Sequence, residues 1–360
     1  MAEHPFKRIA VKVGSNVLTR KDGTLDTERM ADLVAQIAGL RAAGAEVILI
    51  SSGAVASGKK EIKPLKKLDA VSSRQLYSAV GQAKLINHYF ELFRKHHLLC
   101  GQILTMKENF ASRTHYLNQK NCMETMLENG VIPIVNENDT VSVTELMFTD
   151  NDELSGLVAA MMNMDALIIL SNVDGIYDGD PALPASKIIP EITETSDISA
   201  CIRPGKSSFG RGGMLTKYNI ARKVADEGIA VIIANGTRKE ILADIVAGKP
   251  VAYTRFVPSG KPVSNIKKWI AHSEGFAKGE IHIDRGAEKA LYGVKATSIL
   301  FVGVTHIAGK FKKDDIVKII NAEGRPIGVG RAGCDYEKAI SLIGKRNARP
   351  MIHYDYLYLD

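Results

Sequence analysis

The sequence predicts an α/β fold: an open, mostly parallel sheet sandwiched by helices, followed by a small β-barrel-like domain. Two observations predict it. Over roughly the first 255 residues short apolar runs alternate with helical stretches, and strands joined through helices line up in parallel with both faces covered. After Gly248-Lys249-Pro250 the texture changes, and from residue 277 short strands separated by Gly, Asp and Asn turns take over, the pattern of a small closed β architecture. A chain of 360 residues also exceeds what one hydrophobic core usually organises. The expected organisation is a first domain over 1–257, a linker over 258–276 and a second domain over 277–360.

Arg8-Ile9-Ala10-Val11-Lys12-Val13 reads as the first strand, residues 27–43 as a helix, and Glu46-Val47-Ile48-Leu49-Ile50 as the second strand. A helix at 72–96 precedes a strand at 99–104, and a helix at 114–128 precedes Val131-Ile132-Pro133-Ile134-Val135. A helix at 152–163, the strand Ala166-Leu167-Ile168-Ile169-Leu170, a helix at 214–227 and the strand Ala230-Val231-Ile232-Ile233 complete the alternation. The strand runs are almost continuously apolar, as strands buried on both faces must be. Pro258-Ser259-Gly260-Lys261-Pro262 opens the linker, which leads through the single tryptophan, Trp269. The second domain is expected to use Ile281-His282-Ile283, Ser298-Ile299-Leu300-Phe301, Ile316-Val317-Lys318-Ile319-Ile320 and Pro326-Ile327-Gly328-Val329-Gly330 as strands.

Hydrophobic residues make up 45% of the chain and charged residues 24%, which argues against disorder, and the apolar runs are too short and interrupted to span a membrane. Residues 1–8 enter the first strand without the apolar stretch of a signal peptide, so a cytoplasmic protein is expected. Cys100, Cys122, Cys201 and Cys334 form no C-x-x-C and no zinc-ligand spacing, and are expected to be reduced. The adjacent pair His96-His97 cannot share a helical face, so no protein-bound transition metal is expected. Of the net charge of +7, over half falls on residues 276–360, which hold 14 Lys and Arg against 10 Asp and Glu. That excess suits RNA, or solubility alone.

Ligands of open parallel sheets bind beyond the carboxyl ends of the strands, and polar residues collect there. Lys12 lies near the end of the first strand, before Gly14-Ser15-Asn16. Burying its ammonium is costly unless it meets an anion, whereas an edge position would let it snorkel to water. The second strand ends in Ser51-Ser52-Gly53-Ala54, whose hydroxyls and N–H groups suit a carboxylate or an ordinary helix cap. The fourth runs into Asn136-Glu137-Asn138-Asp139, a dense polar run that suits a substrate ammonium, or a turn. Asp150-Asn151-Asp152 precedes an apolar helix; one of the three is expected to cap it, and aspartates beside two lysines would hold those lysines in place.

The second lysine is Lys217. In Gly210-Arg211-Gly212-Gly213-Met214-Leu215-Thr216-Lys217 three glycines open a helix with a lysine one turn in. Such a loop lets backbone N–H groups close around phosphate oxygens, although a glycine-rich cap would read the same. It is not a Walker A loop, because Lys217 follows a threonine. Two lysines, their aspartates and a phosphate-binding loop fit phosphoryl transfer, which runs on positioning and electrostatics without a protein nucleophile.

Taken together, Val11-Lys12-Val13-Gly14-Ser15, Ser51-Ser52-Gly53-Ala54, Gly81-Gln82, Asn136-Glu137-Asn138-Asp139, Asp150-Asn151-Asp152 and Gly212-Gly213-Met214-Leu215-Thr216-Lys217 resemble the amino acid kinase family, and within it the glutamate 5-kinases. Gly309-Lys310-Phe311-Lys312-Lys313-Asp314-Asp315-Ile316-Val317 resembles the PUA domain that many of them carry. The resemblance implies that ATP, accompanied by Mg2+, phosphorylates the γ-carboxylate of L-glutamate in the first step of proline biosynthesis. It implies Lys12 and Lys217 at the moving phosphoryl group with Asp152 orienting both. Ser52, Asp139, Asn151 and Asp150 would lie at the glutamate, and Lys12, Ser171, Asn172, Arg211, Gly212, Gly213, Met214, Leu215, Thr216 and Lys217 at the ATP.

Asn172 stands where relatives commonly place aspartate, and Arg211 where a smaller residue is usual; both make the nucleotide side more positive. The resemblance also implies feedback inhibition by proline and a homodimer or homotetramer. Aspartokinase, acetylglutamate kinase and UMP kinase share the lysine and glycine logic. An RNA-binding regulator acting through Lys310, Lys312 and Lys313 is the reading from a different class.

Overall fold

The computed structural model describes residues 6–111, 113–142, 148, 150–181, 183, 185–196, 198, 213–260, 265–271, 276–293 and 297–359. The chain divides into two compact units, one of Met1–Lys107 and Asn118–Pro262, the other of Glu108–Leu117 and Val263–Asp360.

In the first stretch of chain β1 (Arg8–Val13), α1 (Ser15–Leu18), α2 (Thr27–Ala42), β2 (Glu46–Ile50), α3 (Ala54–Glu61), α4 (Ala70–Arg94), β3 (Leu99–Thr105), α5 (Lys107–Ala111), α6 (Arg113–Glu128) and β4 (Val131–Glu137) follow one another. Next come α7 (Asn151–Met161), β5 (Ala166–Ser171), β6 (Glu191–Ile192), α8 (Met214–Asp226), β7 (Ala230–Asn235), α9 (Ile241–Val246) and β8 (Tyr253–Phe256). The eight strands form one sheet in the order β3-β4-β2-β1-β5-β7-β8-β6. All pairs are parallel except β7 with β8, so the expected parallel sheet ends in two strands, β8 and β6, that run against the rest, a reversal its sequence does not announce.

β1 sits inside the sheet, paired with β2 and β5, and is buried from Ile9 to Val13. Each fully buried Ile or Val there contributes roughly 1.5–3 kcal/mol. Helix α2 covers one face with Met30, Leu33, Val34, Ile37 and Leu40, a helical stripe. Helix α7 is buried from Leu154 to Met161, which is why its sequence is apolar all round. Helices α3 and α4 meet at two glycines: a Cβ on Gly58 would lie 1.8 Å from the Tyr77 carbonyl oxygen, and one on Gly81 1.8 Å from that of Ala54. Any larger residue would force the two helices apart.

The second unit continues with α10 (Asn265–Ala271), β9 (Gly279–Ile283), α11 (Arg285–Leu291), β10 (Val304–Gly309), β11 (Ile316–Ile320), β12 (Pro326–Arg331), α12 (Tyr336–Leu342) and β13 (Leu357–Leu359). Its five strands form a separate sheet in the order β10-β9-β11-β12-β13, over a core that includes Ile281, Phe301, Val317, Ile319 and Ile352. Trp269 is 2% exposed, and its indole N–H donates to the Phe110 carbonyl at 2.7 Å. The strand expected at Ser298–Phe301 is corrected: Ile299 makes an isolated bridge to Ile352, and Phe301–Gly303 closes a 3-10 turn. The apolar side chains there are wanted by the core, which a turn and a single bridge satisfy as well as a strand.

Candidate functional site

Lys12 stands on β1 with Ile50 of β2 and Ile169 of β5 as register partners. Three strands lie on one side of β1 and four on the other, so its ammonium has no sheet edge to reach. The lysine is 5% exposed, and a carboxylate offsets the cost of burying it. Asp152, in the first turn of α7 and 1% exposed, places Oδ1 2.5 Å from Lys12 Nζ. Lys217, in the first turn of α8, reaches the other oxygen, Nζ to Oδ2, at 2.9 Å. Burial alone would raise the Asp152 carboxyl, but Lys12 and then Lys217 overcome that and hold it at about 2. One buried carboxylate therefore fixes two ammonium groups from separate elements at the carboxyl end of β1.

The space beside this clasp is kept clear. A Cβ on Gly14 would lie 3.2 Å from the Leu170 carbonyl oxygen and 3.7 Å from Lys12 Nζ. Helices α3 and α8 start after Gly53 and Gly213 with no side-chain cap, whereas α2, α4 and α7 are capped by the carboxylates of Asp26, Asp69 and Asp150. An uncapped helix start leaves N–H donors for an anion, and that of α8 lies within a turn of Lys217.

A second polar group lies at the ends of β2 and β4. Strand β4 runs past its apolar stretch, so Asn136 and Glu137 are buried strand residues rather than part of a turn. Asn151 Nδ2 donates to the Ser51 carbonyl (2.7 Å), Ser52 Oγ (3.0 Å) and Asn136 Oδ1 (3.0 Å). Asn136 Nδ2 donates in turn to Gln82 Oε1 at 2.8 Å. Asp139 accepts from Arg74 Nε at 2.9 Å and from Ser78 Oγ at 3.4 Å, and Arg74 Nη2 lies 3.3 Å from Glu137 Oε2. The Phe148 N–H donates to Glu137 Oε1 at 2.9 Å. Burial, and then the Asp139 carboxylate, push the Glu137 carboxyl up to about 7. A cavity of about 320 Å³ lies against Ser78, Gln82, Glu137 and Asp139; Lys12 and Lys217 do not line it.

Asp150 caps α7, accepting from the N–H groups of Asp152 (2.9 Å) and Glu153 (3.1 Å) through Oδ1, while its buried Oδ2 has no partner. Burial and the neighbouring Asp152 carboxylate raise it to about 6. Ser171 ends β5, and its Oγ donates to Asn172 Oδ1 at 3.4 Å.

Of the residues expected on sequence grounds, Lys12, Asp152 and Lys217 come together, and Ser52 joins Asn151. Asp139 belongs with Arg74, and Asp152 alone takes both lysines. Gly213 is the N-cap of α8, and Met214, Leu215 and Thr216 form its first turn with Leu215 exposed. Arg211, Gly212 and Cys201 lie outside the described residues; Cys100, Cys122 and Cys334 are free thiols. Sequence reasoning gave no role to Arg74, and it held Gln82 and Glu137 only within the Gly81-Gln82 motif and the Asn136-to-Asp139 run suited to a substrate ammonium. A signal was present: Arg74, Ser78 and Gln82 recur every four residues on the face of α4 that continues as Leu85, Tyr89 and Phe93.

Residues 7–235 match the model of the amino acid kinase family, and residues 279–354 that of the PUA domain. The chain is 65% identical over 356 residues to the glutamate 5-kinase of Bacteroides thetaiotaomicron, covering 99% of both chains. It is 49% identical over 360 residues to that of Chlorobaculum tepidum, again covering 99% of both. Among solved structures it is similar to an isopentenyl phosphate kinase, with a TM-score of 0.51 and 17% identity over 69% of this chain and 100% of that one. The carbamate kinase from Giardia lamblia bound to AMP-PNP gives 0.53 and 17% over 71% and 99%. At such identity these two are likenesses of fold.

Proposed function

The chain belongs to the amino acid kinase family, among its glutamate 5-kinases, and from that premise we infer that it transfers the γ-phosphoryl group of ATP to the γ-carboxylate of L-glutamate. The products are L-glutamyl 5-phosphate and ADP, and the reaction is the first step of proline biosynthesis. Identity over the full chain does not favour the RNA-binding regulator. The observation that carries the chemical reading is the clasp of Lys12 and Lys217 on the buried Asp152.

The acceptor is a carboxylate, ionised at neutral pH, so no general base is needed. One of its oxygens bonds to the γ-phosphorus as the bond to the bridging oxygen breaks, and ADP leaves with that electron pair. The obstacle is bringing two anions together and stabilising the charge on the moving group. In this reading Lys12 and Lys217 face that charge, already placed by Asp152, so no reorganisation is required as it develops. The open N–H groups after Gly213, with Ser171, Asn172 and the loop from Arg211, hold the nucleotide. Ser52, Asn151, Asp150 and Asp139 hold glutamate, the carboxylates meeting its ammonium.

Magnesium fits as a companion of the nucleotide. Among the described residues no group of three His, Cys, Asp or Glu could cage it, and this cation is ordinarily carried by the phosphates of the substrate itself. Bound with the nucleotide, it would neutralise part of the phosphate charge.

The same reading includes proline as a feedback inhibitor competing at or near the glutamate site, a homodimer or homotetramer as the assembly, and a cytoplasmic location; among the described residues no helix is long and apolar enough to cross a membrane. Incubation with ATP, magnesium and hydroxylamine tests the activity, with L-glutamate, L-aspartate and N-acetyl-L-glutamate offered separately. Hydroxamate and ADP should form with L-glutamate. Equal signal with another acid, or none with glutamate from folded protein, would overturn it. A proline titration of that rate and sedimentation of the purified chain test the inhibition and the assembly.

A further inference from the structure

One face of α4 is built onto the carboxylates at and just beyond the end of β4. Arg74, Ser78 and Gln82, four residues apart, touch Asp139, Asp139 and Asn136 in turn, and Gln75 Nε2 donates to the Thr140 carbonyl at 2.8 Å. This spacing puts the contacts on one helical stripe, held against α3 through Gly58 and Gly81. Asp139 and Glu137 are 7% and 4% exposed, and the Asp139 carboxylate lies close enough to disfavour ionisation of Glu137. Among the described residues Arg74 is the one cation paired with them, through Asp139 and through Glu137. Counted over the described residues, two buried carboxylates and one guanidinium leave the couple one positive charge short, next to a cavity large enough for a small amino acid.

Resting on the glutamate reading, we propose that Arg74 and Glu137 are positioning residues that set selectivity for a free α-ammonium: Arg74 holds Asp139 and Glu137 as a couple whose missing positive charge the ammonium of the substrate supplies. Arg74 neutralises one carboxylate and fixes the orientation of Asp139 through its fork of donors. Glu137 supplies the second negative charge, its other oxygen held by the Phe148 N–H. An acceptor without an ammonium leaves that charge unpaired and buried, a penalty that discriminates more strongly than the gain of a single contact.

The test compares L-glutamate with glutarate, which has an acceptor carboxylate and no ammonium, in the hydroxamate assay and by calorimetric binding to the full chain. Glu137→Gln and Arg74→Met are each expected to raise KM and Kd for L-glutamate at least about tenfold with kcat changed less, and to narrow the preference over glutarate. Arg74→Lys should recover part of the loss. In Arg74→Met the Glu137 carboxyl loses the guanidinium that favours its ionisation and keeps its proton to higher pH, so the deficit should shrink toward pH 9, a change that a purely structural role would not produce. The charged groups facing Glu137 among the described residues are Asp139 and Arg74. Unchanged KM, Kd and selectivity in folded Glu137→Gln and Arg74→Met would overturn the proposal while leaving the kinase reading intact. Wild-type protein that neither binds nor phosphorylates L-glutamate would overturn both. If Arg74→Met fails to fold, Glu137→Gln and Arg74→Lys decide.

Discussion

Replacing Asp152 by asparagine removes one negative charge with little change in volume. Two lysine side chains, 7% and 12% exposed, would then meet across a neutral amide. The wild-type carboxyl is held at about 2 against an ordinary 3.8, a depression worth roughly 2 kcal/mol of native stability at neutral pH. Because the folded value is depressed, that contribution is complete above pH 3.8 and is lost as pH falls toward 2. The substitution removes it and leaves two ammonium groups without their buried counter-charge, for a total of about 3–5 kcal/mol. At about 2–4 °C per kcal/mol for a domain of this size, Tm should fall by roughly 6–20 °C. Saturating ATP should restore part of the loss, because its phosphates supply the missing negative charge. The rate should suffer as well: kcat is expected to drop about 10²- to 10³-fold, the usual scale for losing a pre-organised electrostatic contact. Calorimetry with and without ATP and the hydroxamate rate measure both. The double variant Asp152→Asn/Lys217→Met should be scarcely slower than the worse single variant, since the groups act as a unit. Tm within about 2 °C of wild type together with near-normal kcat, or multiplicative losses in the double variant, would refute the reasoning.

Lys217→Ala should lower kcat by orders of magnitude while glutamate binding persists, and Asp139→Ala should chiefly raise KM for glutamate; steady-state kinetics separate the two. Asp150→Asn keeps the capping oxygen but removes a carboxyl raised to about 6 from 3.8. A raised carboxyl loses native stability as pH climbs from 3.8 to 6. The variant should therefore melt higher than wild type at pH 7.5, with the advantage fading at pH 4, and equal differences at both pH values would contradict the shift. Gly81→Ala drives a Cβ against the Ala54 carbonyl and should cost several kcal/mol, on the order of overpacking or worse. Thermal melts check that loss, and a raised KM for glutamate in whatever folds would show that the α3–α4 contact sets the position of α4.

The sequence by itself determined the alternation of apolar strands and helices, because burial on both faces leaves no choice but Val, Ile, Leu and Ala in the strands. It also exposed Lys12, Asp152 and Lys217, since a lysine inside an apolar strand, an acidic start to an apolar helix and a glycine-rich helix start are each locally anomalous. The antiparallel strand β8, the short turn at Phe301–Gly303 and the polar end of β4 were not legible, because local preference there is weak and the partner strand decides. Tertiary structure alone decided whether Lys12 snorkels or pairs: β1 lies inside the sheet, and 140 residues on in the chain the fold brings Asp152 within 2.5 Å of its ammonium. Likewise Asp150 and Asp152 are equivalent acids in sequence, and only the start of α7 sends one to backbone N–H groups and the other to two lysines. Arg74 opens a polar run with Ser78 and Gln82 on the face of α4 that continues as Leu85, Tyr89 and Phe93, but nothing local names its partners. It became a site residue when α3, packed through Gly58 and Gly81, seated that face of α4 over two buried carboxylates, because charge pairing depends on distance in space and not on separation along the chain.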